Sequence, residues 1–156
     1  MECNIKGTHN ISVLRGMRNN KVLLAVEGSN PESVIMFRAN DGTGRMSWHI
    51  DEADGATDEY FIRLTKGVRD IDRYLSWKEN SQEVFSSDTR GEFQKWKIEA
   101  VPGSLTCCTY HIKPAGKQEF YLNTDPDGKV YLLDNDENSG RQRWQLQGDW
   151  VTKYNV

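Results

Sequence analysis

The chain has 156 residues, a net charge of -3 and a pI near 5.6. That length suits one domain that buries about two-thirds of its unfolded surface. The mild acidity gives no electrostatic reason to expect nucleic acid or an anionic membrane as a partner. The longest apolar runs, such as Val22-Leu23-Leu24-Ala25-Val26, fall far short of the ~20 residues of a membrane span.

The first residues, Met1 to Lys6, carry no apolar signal-peptide core, so the expected location is the cytoplasm. Cys3, Cys107 and Cys108 are odd in number, and two are adjacent. That is neither a disulfide framework nor a zinc spacing, so reduced, inert thiols are expected.

In chain order, Ile11-Ser12-Val13-Leu14 reads as a strand and 15–20 as a polar turn. Val22 to Val26 is a second strand, 27–33 a loop with two breakers, and Val34-Ile35-Met36-Phe37 a third strand. A Gly-rich turn then leads into a fourth, Met46 to Ile50. The order repeats: Tyr60 to Leu64, Tyr74 to Trp77, the polar loop 78–82, Glu83-Val84-Phe85, then Phe93 to Ala100. Val68, Ile71, Tyr74 and Leu75 sit at helical spacing. We read them as a turn or a single helical turn, because Tyr74-Leu75 matches strand positions elsewhere. The third round is Thr109 to Ile112, Phe120 to Leu122, the turn Asp125-Pro126-Asp127-Gly128, Val130 to Leu133, and Arg141 to Leu146.

One signature ties the rounds together. Trp48-His49-Ile50 returns as Trp96-Lys97-Ile98 and as Trp144-Gln145-Leu146, at equal intervals. A polar residue between two apolar ones is the alternation of a strand with one wet face. A Trp can bury ~150–250 Å², worth ~4–6 kcal/mol per ring as an upper bound. Three such rings at matching points predict one shared core built by three repeats, about 7–53, 54–101 and 102–150. Four short strands per repeat predict an all-β domain.

Gln94-Lys95-Trp96 and Gln142-Arg143-Trp144 resemble the Gln-x-Trp element of the ricin-B-like β-trefoil group. Met46-Ser47-Trp48 keeps only the Trp. The resemblance implies a six-stranded barrel closed at one end by three hairpins, with pseudo-threefold symmetry. Small fungal β-trefoil proteins of this shape include lectins and protease inhibitors. The group's sugar site begins with an Asp after the Leu of the second strand; here that place holds Ala25, Ser76 and Asn123. The third repeat matches best, which puts the expected sugar site at Asn123, Asp125, Tyr131, Asn135 and Asp136. Tyr131 would supply the flat apolar face, and the others the hydrogen bonds. Trp77 is a further candidate anchor, with a core ring as its alternative. Gln142 is expected to bond backbone within its turn.

Catalysis has little behind it. His9, His49 and His111 have no metal-ligand spacing, and there is no phosphate loop or nucleophile elbow. No cofactor or metal is expected. The leading reading is a non-catalytic lectin whose partners are glycans or glycoproteins. The second is a protease inhibitor presenting the loops 27–33 and 78–82, with a protease as partner.

Overall fold

A computed structural model describes residues 4–38, 41–55, 58–64, 72–102 and 108–148. Twelve strands run in chain order through them: β1 (Gly7–Val13), β2 (Leu23–Val26), β3 (Val34–Phe37), β4 (Trp48–Glu52), β5 (Tyr60–Leu64), β6 (Tyr74–Trp77), β7 (Val84–Ser87), β8 (Trp96–Ala100), β9 (Thr109–Pro114), β10 (Tyr121–Thr124), β11 (Val130–Leu133) and β12 (Trp144–Gly148). The helical spacing at Val68 and Ile71 falls outside the described residues. Two segments expected as strand starts are instead single 3-10 turns, Glu92–Gln94 and Gly140–Gln142. In each the Gln of the Gln-x-Trp element is buried, so its amide is drawn into the turn and the strand starts later, at the Trp.

Six strands close a ring. β1 pairs with β4, β4 with β5, β5 with β8, β8 with β9, β9 with β12, and β12 with β1, every pair antiparallel. A closed ring leaves no unpaired edge. Each ring strand buries an aliphatic that meets its neighbour's in register, as Ile50 with Ile62, Ile98 with Ile112, and Leu146 with Ile11. The other six strands form three hairpins, β2–β3, β6–β7 and β10–β11.

The three Trp rings are fully buried, and their surroundings repeat. Trp48 Nε1 donates to the Leu24 carbonyl at 2.9 Å, Trp96 Nε1 to Leu75 at 2.8 Å, and Trp144 Nε1 to Leu122 at 2.9 Å. Each indole thus fills the core and satisfies a buried carbonyl of its own repeat's hairpin. The hairpins are tied to one another by a second set of three bonds. Met36 N donates to Gly128 O at 3.1 Å, Ser86 N to Glu32 O at 2.9 Å, and Leu132 N to Gln82 O at 2.8 Å. These bonds fix a cap whose outer surface carries the connecting loops.

Cys108 is disulfide-bonded, which corrects the expectation of reduced thiols; its partner lies outside the described residues. Pairing depends on which Cα atoms the fold brings together, and the odd count of cysteines could not disclose that. No helix among the described residues is long and apolar enough to cross a membrane, which says nothing of strands.

Candidate functional site

The third strand of each repeat alternates buried and half-exposed residues. This period-2 pattern holds Val130 and Leu132 in the core and leaves the Tyr131 ring at the surface. The turn before it is rigid. Asp125 Oδ1 accepts from the amides of Asp127 and Lys129, each at 2.9 Å. Gly128 closes the turn at φ 100, a left-handed conformation that favours glycine. The loop of the second repeat meets this turn. Lys117 Nζ pins that loop by donating to the carbonyls of Lys78 at 3.2 Å and Ser81 at 3.1 Å.

The result is a cleft of about 590 Å³ between the second and third repeats, lined by Ser81, Gln82, Glu83, Asp125, Lys129 and Tyr131 with Val130. Its size is within the range of ligand clefts. One aromatic wall faces a ring of polar groups. Asp125 Oδ2 makes no hydrogen bond among the described residues, and Lys129 makes no ion pair among them. Glu83 is half engaged, its Oε2 lying 2.9 Å from Lys78 Nζ. The sequence offers Ser81 and Gln82 only as part of the loop 78–82, and gives no signal that these, Glu83 or Lys129 join a site at Tyr131. The first three belong to another repeat, so only the fold brings them to Tyr131.

The six expected site residues part company here. Tyr131 and Asp125 share the cleft. Asn123 is the cross-strand partner of Tyr131, but it is only 4 % exposed and lies beneath the surface. Asn135 and Asp136 do not line the cleft. The Asn135 carbonyl accepts from Gln142 Nε2 at 2.8 Å, and the Asp136 carboxylate lies 3.5 Å from His111 and 3.7 Å from Arg143. Gln142 also accepts from the Glu137 amide at 2.8 Å, so it bonds backbone as expected.

Trp77 requires a correction, because it is not an exposed anchor. The ring is 3 % exposed, its Nε1 donates to the Lys95 carbonyl at 2.9 Å, and it packs edge-on against Phe93. A Cβ placed on Gly116 would lie 2.9 Å from its Cη2. Every residue of β6 is buried, because the strand is covered on both faces; the alternation that would expose Trp77 does not operate there. Phe93, 42 % exposed, is the aromatic left at the surface of the adjoining hollow.

Burial holds the His111 pKa below its ordinary value, with Asp136 opposing part of the effect. His9 is lowered by burial as well, against its hydrogen bond to the Ile5 carbonyl. Among the described residues no cluster of His, Cys, Asp and Glu is placed to hold a metal.

The closed ring, the three capping hairpins and their threefold hydrogen bonds define a β-trefoil. The solved structure of SeviL bound to asialo-GM1 saccharide is similar to the chain with a TM-score of 0.68 and 18% identity, over 92% of this chain and 98% of that one. A mosquitocidal holotoxin is similar with a TM-score of 0.68 and 20% identity, over 90% of this chain but 16% of that one. At such identities the likeness establishes the fold. No family model and no curated protein matches the chain.

Proposed function

We propose that the chain is a non-catalytic carbohydrate-binding protein whose glycan or glycoprotein ligand sits in the Tyr131 cleft. The observation that carries this reading is the convergence of a half-exposed Tyr ring with the Asp125 Oδ2 and Lys129 ammonium groups, which have no partner among the described residues, on a preformed wall. A pyranose has an apolar C–H face that stacks on an aromatic ring, and a rim of hydroxyls that needs fixed donors and acceptors. The cleft offers both, from turns already locked by their own hydrogen bonds, so little ordering remains to be done on binding. A neighbour of the same fold, SeviL, was solved with a saccharide bound, which supports the assignment. The protease-inhibitor reading has no comparable support. The loop ends at Glu32 and Gln82 are tied by their carbonyls to the neighbouring hairpins.

A glycan array followed by titration tests the proposal. Tyr131→Ala should abolish binding and leave the far-ultraviolet spectrum unchanged. Failure of every sugar to bind at millimolar concentration removes the reading.

A further inference from the structure

The cap carries a pattern that the Tyr131 cleft uses only in part. Immediately before the first core Val of each third strand stand Ser33, Glu83 and Lys129; immediately after it stand Ile35, Phe85 and Tyr131. Isolated antiparallel bridges pair Ser33 with Phe85, Glu83 with Tyr131, and Lys129 with Ile35. Directly opposed residues share a face. Six side chains therefore alternate, polar and apolar, around the axis that relates the repeats. Phe85 stands two residues beyond Glu83 on the same strand face. That makes it the diagonal neighbour of Tyr131, ~7–8 Å away.

A second cavity of about 660 Å³ opens on this side, with Ser33, Ile35, Arg73, Lys78, Phe85 and Asp88 among its walls. It shares Glu83, Lys129 and Val130 with the Tyr131 cleft, so these residues border both. Its floor is fixed. Arg73 donates to the Ser86 hydroxyl at 2.8 Å and to the Ser86 carbonyl at 2.7 Å, and the Ser86 hydroxyl donates to the Pro31 carbonyl. Lys78 reaches over the Phe85 ring at 5.1 Å, from the same ammonium that meets Glu83.

We propose that the two cavities are consecutive subsites of one groove, and that the ligand is an oligosaccharide of two or more rings, not a monosaccharide. The inference rests on the reading of the Tyr131 cleft as a sugar site. A single pyranose on Tyr131 touches neither the Phe85 wall nor the Lys78 ammonium that lies over it. A linked second ring reaches them past Glu83 and Lys129, whose charged groups can bond the hydroxyls around the linkage. The groove has a direction, because the third axial position is Ile35 and offers no ring.

Calorimetric titration of the intact chain with glucose, N-acetylglucosamine and galactose, each against its β-1,4-linked dimer and tetramer, tests this. In at least one series the tetramer should bind about tenfold or more tighter than the monosaccharide, since the second contact becomes intramolecular. Phe85→Ala, and Phe85→Leu as a variant that keeps apolar volume but no flat ring, should erase that gain and leave monosaccharide affinity unchanged. Equal affinity for monomer and tetramer, or a Phe85 variant that weakens both alike or neither, overturns the two-subsite groove while the Tyr131 site stands. No binding in these series or on the glycan array overturns both.

Discussion

The interior and the cap face of this molecule obey different rules. Inside, the threefold symmetry is nearly perfect: three indoles donate to three equivalent leucine carbonyls within 0.1 Å of one another, at 2.9, 2.8 and 2.9 Å. On the cap, equivalent positions hold Ile35, Phe85 and Tyr131 in one set, and Ser33, Glu83 and Lys129 in the other. The interior positions are constrained alike because one barrel must be closed by three copies of the same packing. The cap positions face solvent, where substitution costs little, so each repeat is free to carry different chemistry. Symmetry marks what holds the fold, and its loss marks where recognition can sit.

The largest effects should come from breaking the symmetric set. Trp96→Ala removes a fully buried ring and leaves the Leu75 carbonyl without its donor. It should cost ~3–5 kcal/mol in urea denaturation, and Trp48→Ala and Trp144→Ala should cost similar amounts. A melt unchanged by any of the three would contradict a shared core.

Next comes a position where the interior is only twofold. Gln94 accepts from Gly91 N and donates to the Ser76 hydroxyl, both at 2.9 Å. Gln142 joins Glu137 N to Asn135 O. The first repeat has Met46 instead, and there Arg45 clamps the turn, its Nη1 donating to the Val26 carbonyl at 3.1 Å and its Nη2 to Asp41 at 2.8 Å. Burial pushes the Asp41 pKa up, but hydrogen bonds from Thr43 and Arg45 outweigh it and hold the carboxyl at about 2. Gln142→Ala removes a fully buried amide and strips the part-buried Glu137 N and Asn135 O of their partner. It should cost ~1–3 kcal/mol, read as a lower denaturation midpoint at unchanged slope.

Acidification gives a smaller effect with a definite sign. Burial, the largest cause in both cases, lowers the folded-state pKa values of His9 and His111 below 6.5. The unfolded chain therefore binds protons first as pH falls. Stability is complete above the unfolded value and declines below it, toward the folded values. The melting temperature should drop between about pH 7 and about pH 5; a flat profile across that window would show that neither ring resists protonation. Smallest of all is the effect of Tyr131→Ala on stability. The side chain is half-exposed, so the loss should stay below ~1 kcal/mol even as sugar binding disappears.

Much of the fold was legible in the residues because the signals were local and repeated. Equal spacing of Trp48, Trp96 and Trp144 announced the shared core, and four strands, Val34–Phe37, Tyr60–Leu64, Tyr74–Trp77 and Val130–Leu133, begin and end where the apolar runs and turn residues predict. The site was legible only as Tyr131 and Asp125, which are close in the chain. Asn135 and Asp136 are closer still to Tyr131 in sequence, yet they bond a different turn. Trp77 carries the composition of an anchor and the burial of a core ring.

The sequence by itself determined the repeat, the strand-rich class and the identity of the three core indoles. Each depends on short-range periodicity, which any strand must obey. Tertiary structure alone decided which loops share a wall with Tyr131, which aromatic stays wet, and that Cys108 enters a disulfide. Those outcomes depend on how separate repeats meet, and closing the ring is what brings Ser81, Gln82 and Glu83 beside a residue some fifty positions away.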